Sequence, residues 1–159
     1  RTGLKGAGGL MSLALVLLLA LALGAVAREL GTGLYIADLA AGTLSPMVFL
    51  PLTFLVAAGI SFSTGTSWGT FAIMIPIAVP AAAALGLPIA PFLAASLAGG
   101  VFGDHCSPIS DSTIIASMAA ATDHIDHVRT QLPYALLCAA VATVGFGVLG
   151  ATMGATVGP

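Results

Sequence analysis

Long apolar runs separated by short polar interruptions organise this chain. Residues 10–27 are apolar on every face, and a helix of that length, at 1.5 Å per residue, approaches the roughly 30 Å of a bilayer core. Arg28 and Glu29 end the run, and a glycine-containing connector is expected from there to Thr43. Ser45 followed by Pro46 has the form of an N-cap with proline in the first helical position. The helix it opens is expected to reach about Ile60, which is short for a full crossing. Residues 61–70 then bring hydroxyls and glycines without one charge, and a non-helical break is expected there. Helix resumes to Leu85, and Pro76 and Pro80 should bend it. After Gly86, Leu87 and Pro88 the arrangement recurs, with an apolar run over 91–102, a polar interruption over 103–111 and a short apolar run over 112–121. Residues 122–131 form the most polar stretch, read as a connector, and a last helix is expected over 132–153.

Composition turns these runs into a membrane protein. Of 159 residues, 58% are hydrophobic and 6% are charged, whereas an average soluble domain carries about 25% charged residues. So few charges cannot cover a soluble surface, and in hydrocarbon only helices or a closed barrel satisfy the backbone. Barrel strands alternate apolar and polar residues, and no such alternation occurs here. The fold class is therefore an all-α membrane protein. Arg1 and Lys5 before the first apolar run allow a signal peptide, but the run exceeds the usual apolar core of about 7 to 15 residues and reads better as a true span. The chain does not begin with Met, and a fragment of a longer protein is expected. Cys106 and Cys138 show neither metal-ligand spacing nor a disulfide framework and read as small packing residues.

Two apolar segments, each interrupted by glycine, proline and hydroxyl residues, point to a transporter binding site. Unwinding a helix in hydrocarbon strands backbone groups, so a break survives only where protein, ions or water satisfy them. Half-helix ends and unwound carbonyls then offer partial charges and oxygens suited to a hard cation. Clusters of Gly, Ser and Thr can also serve close helix packing alone, which is the plainer account of residues 61–70. The second break carries charge. Asp104 and Asp111 lie within apolar sequence, where an ionisable group costs at least about 2.5 to 3.5 kcal/mol to insert and so reads as functional. A carboxylate at such depth binds Na⁺ when ionised and takes a proton when desolvation favours the neutral form, which is the chemistry an antiporter needs. Asp111 also has the position of an N-cap before 112–121. His105 offers a proton relay or a hydrogen bond that orients Asp104.

The run Gly65, Thr66, Ser67, Trp68, Gly69, Thr70 and the run from Gly103, Asp104, His105, Cys106, Ser107, Pro108 through Ser110, Asp111, Ser112, Thr113 closely resemble the signatures of the NhaC-type Na⁺/H⁺ antiporter family, within the wider ion transporter superfamily. The stretch from Asp123, His124, Ile125, Asp126 through Tyr134 resembles the polar segment that follows in that family, and the resemblance spans residues 44–139 in the same order. Ser112 stands where Thr is expected. The resemblance implies a transporter built of two inverted repeats and several times longer, of which this chain would be the second, C-terminal repeat. It also implies one re-entrant hairpin, placed at 45–85, and one discontinuous helix, placed at 91–121. The expected Na⁺ and H⁺ site comprises Asp104 and Asp111 with Thr66, Ser67, Thr70, Ser107, Ser110 and Thr113, and the two breaks are expected to meet near the bilayer midplane.

The four basic residues test the hairpin independently. If 45–85 enters and leaves on one side while 91–121 crosses once, Arg1, Lys5 and Arg129 share a side and Arg28 lies opposite, three to one in the sense of the positive-inside rule. That places 122–131 in the cytoplasm and the C-terminus outside, in a multi-pass protein of the plasma membrane. His124 and His127, with Asp123 and Asp126, make that loop a candidate metal site or pH sensor, against the plainer reading of a solvated connector. Gly65-Thr66-Ser67-Trp68-Gly69 also matches the G-x-S-x-G nucleophile pattern, but the strand-to-helix context it requires is missing. An aspartyl protease dyad needs carboxylates on facing elements, and Asp104 and Asp111 share one break. The function expected is Na⁺/H⁺ antiport, with Na⁺-coupled exchange of an organic acid or amino acid as the alternative and intramembrane hydrolysis as a third. No cofactor is expected beyond the transported ions. The expected partners are the lipid bilayer, Na⁺ and H⁺, the N-terminal repeat and, as an open option, further copies in a homo-oligomer; nucleic acid is not among them.

Overall fold

The computed structural model describes the backbone of residues 2–156 and the side chains of residues 14, 15 and 17–153. Among the described residues seven helices follow one another: α1 (Thr2–Glu29), α2 (Thr32–Ala40), α3 (Pro46–Thr64), α4 (Ser67–Ala84), α5 (Ile89–Cys106), α6 (Asp111–Ala119) and α7 (His124–Thr156). The expected span at 10–27 lies within α1, and its side chains at 10–13 and 16 fall outside the described residues, as do Arg1 and the Lys5 side chain on which the charge count drew. Among the described residues, α3, α4 and α7 contain stretches long and apolar enough to cross a membrane, and Leu17–Glu29 with Thr32–Ala40, bent by 58°, makes a fourth if it is one span.

Each difference from the sequence reading has a local cause. The connector expected over 28–43 is largely helix α2 (Thr32–Ala40), set off from α1 by Gly31 in the left-handed conformation, φ 67°, and ended by the extended Ala41 and by Gly42 at φ 75°. Gly33 is helical and serves packing instead: a Cβ there would lie 2.8 Å from the Ile77 carbonyl oxygen. The first break, expected over 61–70, shrinks to Gly65 and Thr66. Ser63 and Thr64 return their hydroxyls to the Gly59 and Ile60 carbonyls, at 2.8 and 2.9 Å, so they ride on an unbroken helix. Gly65 then closes α3 in the left-handed conformation, φ 68°. The second break, expected over 103–111, is confined to 107–110, and Asp111 is the first residue of α6 rather than its cap, a place taken by Ser110. The polar stretch 122–131 is mostly the first two turns of α7, because Asp123 Oδ1 accepts the backbone N–H groups of Ile125 and Asp126 at 2.9 and 3.1 Å. That is an N-cap.

Helices α3 and α4 run antiparallel. Phe49, Leu52, Val56 and Ile60 of α3 face Ile73, Met74 and Ile77 of α4 across an apolar cavity of about 290 Å³, and Pro46 and Leu85, at the far ends, line one hollow together. With 19 and 18 residues, the arms are long enough to be spans in their own right. Helix α5 lies along α3 in the same direction: Phe92 meets Phe49 with ring centroids 5.0 Å apart, and further along Gly103 backs onto Ala58, Ser61 and Phe62. Glycine permits that approach, since a Cβ at Gly103 would stand 2.2 Å from the Ala58 carbonyl oxygen. Helix α7 runs back the opposite way, from Gln131 beside His105 to Phe146 against Phe54 and Gly150 against Pro46. The buried core is Phe49, Leu50, Phe54, Phe92 and a set of alanines. Outside it, Leu18, Leu19, Leu21, Leu137 and Val144 are more than half exposed, a surface that suits lipid rather than water. This packing brings the C-terminal end of α5 beside the tip where α3 passes into α4.

Candidate ion site between the two breaks

Asp104 sits in the last turn of α5, and both of its carboxylate oxygens are engaged by hydroxyls from elsewhere. Ser67, the first residue of α4, donates to Oδ2 at 3.0 Å. Ser110, the N-cap of α6, donates to Oδ1. The carboxylate therefore stands at two helix N-termini, whose partial positive charge favours an anion. Asp104 is half-buried, and Ser110 has no solvent exposure. A second tie holds the breaks together, because Ser107 donates to the Phe62 carbonyl oxygen at 2.7 Å. Gly65 also packs directly on Ile109, where a Cβ would meet the Ile109 carbonyl oxygen at 2.9 Å.

The other expected site residues surround this centre without touching the carboxylate. Thr66 caps α4, accepting the Gly69 N–H at 3.4 Å, and the buried Thr70 donates to the Thr66 carbonyl oxygen at 2.9 Å. Thr113 donates to the His105 carbonyl oxygen at 3.1 Å. Asp111 is exposed on α6, and the His105 side chain is exposed on α5. His124 belongs to the second break rather than to a free loop: its Nε2 donates to the Pro108 carbonyl oxygen at 2.6 Å, and its Nδ1 lies 3.1 Å from Ser117 Oγ. His127 is half-buried on the first turn of α7. Among the described residues no three His, Cys, Asp or Glu side chains gather to hold a metal ion. Cys106 is buried, Cys138 is exposed, and both are free.

Three contributors were not singled out from the sequence. Ser61 donates across to the Gly100 carbonyl oxygen at 2.6 Å and stitches α3 to α5 beside the site. Gln131 Nε2 donates to the His105 carbonyl oxygen at 2.9 Å, so the unwinding end of α5 is held from α7. Phe62 contributes its carbonyl. A hydroxyl inside an otherwise apolar helix was a visible signal for Ser61, whereas a backbone carbonyl leaves none.

Comparison with known proteins decides what this arrangement belongs to. Residues 2–151 match the Na⁺/H⁺ antiporter family. The chain belongs to that family. The chain is 46% identical over 153 residues to an uncharacterized protein of Haemophilus influenzae, covering 94% of the chain and 28% of the relative. It is 35% identical over 107 residues to the malate-2H⁺/Na⁺-lactate antiporter of Bacillus subtilis, covering 67% of the chain and 23% of that protein. It is 34% identical over 89 residues to the Na⁺/H⁺ antiporter NhaC of Alkalihalophilus pseudofirmus, covering 56% and 19%. The chain thus spans from just under a fifth to a little over a quarter of the length of these relatives. Comparison with solved structures found no match. The family is one of transporters, so the segment is not part of a hydrolase. In keeping with that, Ser67 of the G-x-S-x-G match is the first residue of α4, follows a helix rather than a strand, and donates its hydroxyl hydrogen bond to Asp104.

Proposed function

We propose that the segment forms part of the ion site of a longer Na⁺/H⁺ antiporter of the plasma membrane, and that Asp104 is the group Na⁺ and H⁺ occupy in turn. The observation that carries this reading is the double engagement of one carboxylate by Ser67 and Ser110, each at the start of a helix beyond a different break. A hydroxyl that donates to a carboxylate can rotate and present its oxygen to a cation instead. Na⁺ arriving at Asp104 would then find the carboxylate and two neutral oxygens at once, the donor set a hard cation prefers. Protonation removes the negative charge, and with it most of the attraction for Na⁺. Asp111 fits a supporting role better, since its side chain is exposed at the start of α6. The α3–α4 pair is read as a hairpin that enters and leaves on one side, with its tip at Gly65 against the α5–α6 break, as one repeat of an inverted pair.

The test uses the full-length transporter containing this segment. Asp104→Asn should abolish Na⁺-driven proton movement in folded protein, Asp111→Asn should leave substantial exchange, and Ser67→Ala should weaken Na⁺ binding without stopping exchange. Competition at one carboxylate also requires the apparent Na⁺ affinity to rise with pH and then level off once the group is ionised. Wild-type exchange in Asp104→Asn, or a Na⁺ dissociation constant independent of pH, overturns the assignment. Similarity to a malate-2H⁺/Na⁺-lactate antiporter favours a second reading, in which an organic acid moves with the same ions. Counterflow with Na⁺ alone against Na⁺ plus lactate or malate separates the two.

A further inference from the structure

Asp104 Oδ1 is the inner end of a short line of hydroxyls. Ser110, fully enclosed, has one proton, and it goes to the carboxylate. Its oxygen lies 2.8 Å from Ser112 Oγ and also accepts the Ser112 backbone N–H at 3.2 Å. A hydroxyl offers one donor and two acceptor positions. With its only proton committed to Asp104, Ser110 must be the acceptor in the contact with Ser112. The polarity is therefore set as Ser112 to Ser110 to Asp104, pointing inward.

The outer end of the line is open. Ser112 is exposed, beside the exposed Asp111, and a carboxylate facing hydrocarbon would carry an insertion cost of several kcal/mol. A relay along this line requires that the first turn of α6 face water in the full-length transporter. The Asp104 oxygen engaged by Ser67 has no such continuation, because the Ser67 hydroxyl makes its one described bond to the carboxylate itself. Capping explains the Ser110 bond to the Ser112 N–H, but not why the two hydroxyls are also joined.

We propose that Ser112 and Ser110 relay protons between water and Asp104, an inference that rests on Asp104 being the exchanged group. In uptake, a hydronium ion beside Ser112 protonates its Oγ while the Ser112 proton passes to Ser110 Oγ and the Ser110 proton passes to Asp104 Oδ1. One O–H bond forms and one breaks at each hydroxyl, the carboxylate becomes a carboxylic acid, and a water molecule is left outside. Release reverses the sequence, and rotation of the two hydroxyls resets the line. Ser112 acts through Ser110 and has no part in binding Na⁺.

The experiment compares Ser112→Ala and Ser112→Thr in the full-length transporter reconstituted in vesicles. Ser112→Ala should slow Na⁺-driven proton movement about tenfold, equivalent to ~1.4 kcal/mol of barrier, and leave the apparent Na⁺ dissociation constant at alkaline pH within about twofold of wild type. Ser112→Thr, which restores the hydroxyl, should restore the rate. Wild-type proton movement in Ser112→Ala overturns the relay. So does a parallel loss of Na⁺ affinity, which marks a structural role, or a Thr variant as slow as the Ala variant. Asp104→Asn measured alongside separates the two ideas: an inactive Asn variant beside a normal Ser112→Ala removes the relay alone, whereas an active Asn variant removes the shared carboxylate and the relay with it.

Discussion

The two helix breaks have similar composition and different fates. At the first, between α3 and α4, Ser63, Thr64 and Thr70 all turn their hydroxyls to carbonyls four residues back, and Thr66 caps the helix it precedes. That break closes in two residues and satisfies itself, and only Ser67 reaches outward to the carboxylate. At the second, between α5 and α6, Ser107, Ser110 and Thr113 bond to Phe62, Asp104 and His105, partners on α3 and α5. Four residues stay unwound there. Hydroxyl content therefore does not mark a site. What marks one is a hydroxyl whose partner lies on another element or on a charge.

That contrast can be broken by substitutions graded in size, each read as thermal unfolding of the full-length transporter in detergent. The largest effect is expected from Gly103→Ala, which sets a Cβ 2.2 Å from the Ala58 carbonyl oxygen and 2.7 Å from the Phe62 nitrogen. Neither is a flexible side chain, so α5 must move off α3, at a cost of ~3 kcal/mol, the upper part of the range for overpacking. A variant of wild-type stability would mean that the two helices do not meet this closely.

Ser107→Ala comes next. It leaves the part-buried Phe62 carbonyl without the hydroxyl that ties the two breaks together, and about 1 to 1.5 kcal/mol is expected for the loss of such a bond. Thr66→Ala should cost less, about 0.5 to 1 kcal/mol, because its cap bond is long at 3.4 Å. Ser63→Ala sets the floor at about 0.5 kcal/mol or less, since the exposed hydroxyl adds only a bond to a carbonyl of its own helix. If Ser63→Ala proved as costly as Ser107→Ala, the distinction between self-satisfied and cross-linking hydroxyls would fail.

Some of this was legible before any coordinates. Apolar runs bounded by Gly, Pro and charge have few alternatives to buried or lipid-facing helices, so the helical class, the long runs and the existence of two interruptions followed from composition and spacing. Asp104 stood out for the same reason, as a charge that hydrocarbon penalises. Element ends were less legible, because a Ser or Thr reads alike whether it breaks a helix or bonds back to it. Residues 61–64 and 103–106 read as interruptions by composition and are helix, and the caps of α6 and α7 are Ser110 and Asp123.

Only the tertiary structure could decide which hydroxyls meet the carboxylate. Ser67 and Asp104 are 37 residues apart, and their contact depends on α5 running alongside α3 at glycine distance while the α3–α4 turn folds over its end. No local pattern encodes that meeting, since it follows from the order in which three helices pack. Ser67 and Thr66 are neighbours with the same chemical group, yet one points at the carboxylate and the other at its own helix. A reading of residue types had to treat them alike. Backbone direction at Gly65, φ 68°, and the close seating of Ile109 upon it separate them, because they set how α4 leaves the turn and which of its first residues faces α5.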